Sequence, residues 1–431
     1  MHNHSNLNST PITLTHFGAG QVMNTTGGTV ENGVVTDANA LSAEMKAFYD
    51  KTLITLAGAN LVHEQFGQKR PIPKNGGKTI EFRKFSKLPK ALTAITEGVT
   101  PAGNKLSVSA VSCTVDQYGD YIEQTDMLEL TAVDNTIVEA TKELAAQAGL
   151  TLDTVVRNEL VGGTNVMYAP KVENGVETEI TLREDLTEAC RLRVKDVFKA
   201  AAELKAVNAP KIGGSYVAII HPYVAYDLMQ EAGEQWVGIT KYVSPESLLK
   251  GEIGTLGGVR FVESTEAKIF APAEIAEGLA RLHVKTAATA SATVTVKESL
   301  DGVTFDTPVE VWVGGVKNTV TAITAGEDGS TLTLGAAATV AAGDVICGTG
   351  GGKDGSAVFC TLFLGENAYG VTDVEGGGLQ HIVKQCGYGN DPLNQRSSVG
   401  WKATKVAKRL LEEYMIRFES GSAFSATATE N

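Results

Sequence analysis

Residues 285–355 differ in composition from everything around them, and that difference constrains how the rest of the chain folds. The stretch is dominated by Thr, Val, Ala and Gly. Short period-two segments such as Thr293-Val294-Thr295-Val296 and Val309-Glu310-Val311-Trp312-Val313 are separated by turn signals at Asp301-Gly302, Gly314-Gly315 and Asp328-Gly329-Ser330. At about 70 residues it is near the lower size at which a domain folds alone. The pattern predicts a small all-β unit, barrel or sandwich, with four Lys against eight Asp and Glu. It begins abruptly after Leu279-Ala280-Arg281-Leu282 and ends in the glycines from Gly348 to Gly355. The sequence on either side reads as one continuous domain that the chain leaves and re-enters.

Upstream, residues 1–40 read as a polar arm, followed by a short helix from Leu41 to about Ala57. Thr79-Ile80-Glu81-Phe82-Arg83 and Leu106-Ser107-Val108-Ser109-Ala110-Val111 both alternate at period two, with Leu88-Pro89-Lys90 between them. They predict a long hairpin within about 66–120. From Lys69 to Lys90 the chain carries eight basic residues and one acidic one, Glu81. Asp134 to Leu160 predicts a long helix. Ile137, Leu144, Ala148, Leu152, Val155, Val156 and Leu160 make one apolar stripe, Asp134 or Asn135 is the cap, and Gly149 is a point of kinking or close packing. A second helix is predicted from about Arg183 to Ala206, on the spacing of Leu186, Cys190, Val194, Val197, Ala201 and Leu204, ending at Asn208-Ala209-Pro210. Tyr216-Val217-Ala218-Ile219-Ile220, closed by His221-Pro222, and Val259-Arg260-Phe261-Val262-Glu263 read as strands.

The chemistry-bearing motifs fail on context. Gly350-Gly351-Gly352-Lys353-Asp354-Gly355 matches GxGxxG, but a strand-like run, Ala357 to Phe363, follows where a dinucleotide site needs a helix N-terminus. Cys347 and Asp354 also break the phosphate-loop pattern. There is no HExxH and no GxSxG, and His221 before Pro222 reads as a capping or core histidine. Cys113, Cys190, Cys347, Cys360 and Cys386 form no CxxC pair, which points away from zinc and disulfides and toward a reducing compartment. The start of the chain, Met1 to Asn6, has no secretion-signal pattern, and no apolar run reaches membrane-spanning length. A net charge of −13 argues against a whole-chain nucleic-acid footprint. No catalytic, cofactor-binding or metal residue is assigned, and the expectation is a protein without enzymatic activity or cofactor.

Two strings carry a resemblance. Lys250-Gly251-Glu252-Ile253-Gly254-Thr255-Leu256-Gly257-Gly258-Val259-Arg260-Phe261-Val262-Glu263-Ser264 and Asn390-Asp391-Pro392-Leu393-Asn394-Gln395-Arg396-Ser397-Ser398-Val399-Gly400-Trp401-Lys402 resemble tailed-phage major capsid proteins of the phage N4-type coat family. Tyr216 to Pro222 and Glu366 to Val371 are similar to it as well. The resemblance covers roughly 40–284 and 356–420; residues 285–355 depart from it. It implies an α+β chain of the Hong Kong 97-like fold: an N-terminal arm (1–65), an extended hairpin called the E-loop (66–120), a peripheral domain with a long spine helix (121–185), an axial domain (186–284), the inserted β domain (285–355), an axial return (356–372) and a peripheral return with the C-terminal tail (373–431).

The implied function is self-assembly into the hexamers and pentamers of an icosahedral head. That head encloses double-stranded DNA without sequence-specific contacts, and is built in the bacterial host cytoplasm with portal and scaffolding partners and no membrane. The basic hairpin needs an acidic surface on a neighbour, and the spine-helix segment offers Asp134, Glu139, Glu143, Asp153 and Glu159 against Lys142 and Arg157. The intersubunit candidates are Lys69, Arg70, Arg83, Lys84, Lys87, Lys90, Glu139 and Glu143. Two other readings stay open: the shell of a bacterial cargo compartment with the same fold, and an enzyme or adhesin carrying a β module.

Overall fold

The computed structural model describes residues 30–31, 34–35 and 61–431, the latter apart from 86–87, 89, 93, 95–96, 99, 101–102, 132–135, 174, 234–236, 239–251, 304–306, 327–328, 385 and 388–392. The helix expected from Leu41 to Ala57 and the caps Asp134 and Asn135 lie outside the described residues.

The hairpin consists of β1 (Thr79–Phe85) and β2 (Val108–Thr114), in antiparallel register from Thr79 opposite Thr114 to Phe85 opposite Val108. It pairs with no third strand among the described residues. Phe82, 4% exposed, anchors its base. After it, β3 (Asp116–Thr125) leads toward α1 (Thr136–Val161), which is continuous through Gly149. The apolar stripe of α1 is shared between two cores. Leu144, Ala145, Ala148 and Leu152 pack with Val399, Trp401 and Ala403, whereas Val156, Leu160 and Val161 enter the largest core. One stripe at helical spacing thus joins two packing units.

The second helix is shorter than its spacing predicts: α2 spans Val194–Ala206 only. Leu186 and Cys190 are buried as expected, but not on a helix. The Leu186 carbonyl accepts from Lys353 N and Ser356 Oγ, a tie to distant chain that a helix would spend on its own fourth neighbour. Helix geometry starts where Asp196 accepts from the Arg193 backbone N–H at 3.2 Å, a local cap.

A mixed sheet follows, built on β4 (Tyr216–Ile220), flanked by α3 (Pro222–Ala232) and continued by β5 (Glu252–Leu256) and β6 (Val259–Glu263). β4 pairs with β6 in parallel, and β5 with β6 through the turn Gly257-Gly258. Both turn glycines have positive φ, 64° and 84°, as a two-residue hairpin of this type requires.

The chain then enters β7 (Arg281–His283), β8 (Ala288–Thr295), β9 (Val309–Val313), β10 (Val316–Thr324), β11 (Thr331–Val340) and β12 (Val345–Gly348). Their order is β7-β12-β9-β10-β11-β8. A bridge between Val284 and Val296, with Lys285 N donating to Thr295 O and Lys297 N to His283 O, joins the two ends. The unit is a closed six-stranded barrel, filled by aliphatic side chains such as Leu282, Val296, Val311, Leu332 and Ile346. The GxGxxG stretch at its exit is a turn leading into a strand, as its context predicts.

That strand, β13 (Val358–Leu364), returns to the mixed sheet beside β4, and every residue in it is buried. A strand covered on both faces reads as a continuous apolar run. β14 (Tyr369–Thr372) and β15 (Gln380–Lys384) pair with successive parts of β16 (Arg396–Arg409), the longest strand, whose first ten residues pair with β3. β17 (Met415–Ser420) pairs with β13 in the mixed sheet, and residues Val166–Tyr168 add to its other side in parallel.

Candidate assembly surfaces

The structure separates the candidate contact residues into two groups. Lys69 lies before the hairpin and reaches Glu64 at 3.2 Å; Lys405 meets the other oxygen of Glu64 at 2.7 Å. Burial opposes ionisation of Glu64, but the two lysines outweigh it and hold its carboxyl below the ordinary carboxylate range. Arg83 comes within 3.8 Å of Glu81 on its own strand, and both are exposed. Arg70 and Arg83 line one side of a cleft of about 180 Å³ with Gln68, Phe82 and Val111. Lys90 is exposed; the side chain of Lys84 and the whole of Lys87 lie outside the described residues. Sequence reasoning missed that the hairpin also exposes apolar side chains: Leu88, Leu92, Leu106 and Val108. Leu92, at 85% exposure, is the most open. Its signal was present in the run Lys87 to Leu92, where leucines alternate with basic residues and no core periodicity claims them.

The acidic surface expected on the spine helix is smaller than its charges suggest. Asp153 is fully buried, accepting from the His63 backbone N–H at 2.8 Å and lying 2.6 Å from His63 Nδ1. Tyr369 donates to the His63 carbonyl, so this cluster ties the entering chain to α1 and β14. Glu159 engages Lys408 at 3.3 Å and Arg409. Glu139 and Glu143 remain exposed, and Glu139 holds Lys142 at 2.7 Å. Asp153 and Glu159 are internal fasteners because a 26-residue helix packed against a sheet turns much of its circumference inward.

Two further faces are open. The side of the β15-β16-β3 sheet away from α1 is concave, about 680 Å³, lined by Tyr121, Glu123, Ile382, Lys384, Ser398 and Lys402 among others. Trp401 points the other way and donates from Nε1 to Gln147 on α1 at 3.1 Å. The second face is on α3, where Tyr223, Tyr226 and Met229 are exposed while Val224, Ala225 and Leu228 are buried. A helix apolar on both sides was the sequence signal, and the expectation of a strand ending at His221-Pro222 hid it. His221 caps this helix, its Nδ1 accepting from Tyr223 N at 3.2 Å. Burial pushes its imidazole down to about 4, so it is neutral near pH 7.

Buried ion pairs hold the frame between these faces. Glu419 is wholly buried and receives Arg183 through both oxygens, at 2.7 and 2.6 Å, with Arg417 at 2.9 Å. Arg260 and Glu252 pair across the β5–β6 turn. No group of three or more metal-ligating side chains exists among the described residues.

Comparison with known proteins bears on these surfaces. A family described as phage capsid protein matches residues 152–390. The fold is similar to the capsid of Ralstonia phage GP4, at 12% identity and a TM-score of 0.52, over 84% of this chain and 89% of that one. Weaker similarity extends to the capsid of Cyanophage P-SCSP1u (13% identity, TM-score 0.46, 84% and 89% covered). The head of Helicobacter pylori bacteriophage KHP40 gives 10% identity and a TM-score of 0.46, over 84% and 89%. No curated protein sequence matches the chain.

Proposed function

This chain belongs to the phage capsid protein family and is a major capsid protein of Hong Kong 97-like fold, and on that premise we propose how its copies form a head. The copies join in hexameric and pentameric rings, and the E-loop hairpin of each reaches across its neighbour. The observation that carries this is the hairpin itself, a two-stranded projection with exposed leucines and a basic flank that no third described strand covers. Isolated two-stranded ribbons are marginal in water, and a neighbouring subunit supplies the missing surface. Repetition over many contacts makes a stable shell from individually weak ones.

The finer kinship with phage N4-type coat proteins rests on residues 250–264 and 390–402. The barrel lies on the outer face, where it takes no volume from the genome. Double-stranded DNA fills the interior without sequence-specific contacts, consistent with a net charge of −13. Portal and scaffolding proteins act in assembly in the host cytoplasm. The capsid family match disfavours the cargo compartment.

Replacing Lys84, Lys87 and Lys90 together with Glu tests the hairpin contact. The expected outcome is soluble, folded subunits and loss of closed particles in electron micrographs. Normal particles from this variant would remove the hairpin from the interface.

A further inference from the structure

The aromatic face of α3 is built as a fixed unit. Phe424 stacks on Tyr223 with centroids 4.4 Å apart, and Tyr226 meets Phe424 edge-on at 5.9 Å. The turn carrying Phe424 is fastened to the same helix, since Asp227 accepts from Ser422 Oγ at 2.7 Å and from Ala423 N at 3.0 Å. The capping His221 sits on Tyr223 and Phe359, at 4.8 and 5.1 Å. Tyr226 is nevertheless 49% exposed, and Met229, one turn on, is open as well. Rigid aromatic clusters of this kind are the usual anchors of protein interfaces, because little side-chain freedom is lost on docking.

The chemistry of the occupant is written elsewhere on the same chain. α3 carries no basic residue; its Asp227 is buried and held by Ser422, Ala423 and Arg191, and its exposed acid is Glu231. α2 presents Lys195, Lys199 and Lys205 around Phe198, which is 49% exposed. Lys195 is engaged by Glu177 at 2.8 Å; Lys199 and Lys205 have no ion partner among the described residues. Lysines beside an exposed phenylalanine match tyrosine rings by cation–π and apolar contact. Two unlike patches on one chain make a head-to-tail contact, the kind that closes rings.

We propose that α3 is an interface with a second copy of this chain, its Tyr223, Tyr226 and Met229 seated against Phe198 and Lys199 on α2 of that copy. The proposal rests on the capsid reading above. Within one chain the C-terminal end of α3 already touches the start of α2, where Glu231 accepts from Val194 N at 3.2 Å, so the test must separate copies.

The full chain is made with the photo-crosslinking residue p-benzoylphenylalanine at position 226, and particles are assembled from equal parts of unlabelled and 15N-labelled subunits. Crosslinks from position 226 to peptides of 194–206, with about half of them joining light to heavy chains, are expected. Crosslinks confined to one isotope, mapping elsewhere, or reaching another protein overturn the proposal. Independently, Tyr226→Glu with Met229→Glu should keep the thermal midpoint of the subunit while lowering particle yield at least tenfold. Unchanged yield from that variant, with wild-type particles forming, overturns the proposal alone. Failure of the wild type to form particles overturns the capsid reading beneath it.

Discussion

Gly400 and Trp401 show how two adjacent residues of one strand meet opposite requirements. Trp401 fills the groove against α1, and Gly400 faces β3, where a Cβ would lie 2.7 Å from the Cβ of Tyr121 and 2.8 Å from the Asp120 carbonyl. Backbone stands on that side, so relief requires the strands to move apart. Gly400→Val should cost about 1–3 kcal/mol by overpacking, seen as a lower thermal midpoint of the unassembled subunit; an unchanged midpoint would mean that the strands separate freely. His221 makes a different demand. Its imidazole stays neutral in the fold down to about pH 4, whereas the unfolded chain takes up the proton near 6.5. Between those values the unfolded state binds more protons, so stability falls as pH drops through the window, by at most about 1.4 kcal/mol per unit. His221→Asn keeps a capping acceptor and does not titrate. Urea unfolding midpoints at about pH 7 and about pH 5 should differ less in the variant than in the wild type, and an equal difference would assign the acid sensitivity to other groups.

At the scale of elements, the barrel is attached by a neck whose two strands lie side by side, with Gly348 N donating to the Ala280 carbonyl at 3.1 Å. Its core is a cluster of its own, separate from that of the mixed sheet. The segment just beyond the barrel belongs to the frame, since Lys353 N and Ser356 Oγ hold Leu186. The place of excision therefore matters. Replacing 281–348 by a short Gly/Ser linker should leave a cooperatively folding subunit that still forms particles. Removing 285–355 cuts the bond from Lys353 N to Leu186 and strands the first barrel strand, and should lower the thermal midpoint further. Equal behaviour of the two deletions would show that the 349–355 segment contributes nothing to the frame.

Across the whole molecule, sequence and structure agree where one physical signal dominates. The β composition of the insertion, the apolar stripe of α1 and the buried β4 were legible because local pattern and tertiary role coincide. The extra turns expected of α2 were not, because Leu186 and Cys190 are buried at helical spacing while their backbone bonds to chain more than 150 residues away. The roles of Asp153 and Glu159 were hidden for a related reason: charge is visible in a sequence, but the direction a carboxylate faces depends on which neighbour the fold delivers. The interface candidates stayed partly hidden too, since apolar residues at Leu92 or Tyr226 look like core until the core is assembled without them. The closure of the barrel has a bearing on crowding. A strand with unsatisfied amides along its flank is a standing invitation to polymerise. The bridge from Val284 to Val296 and the two bonds beside it tie the first barrel strand to the second, and so take part of both flanks out of reach of another chain.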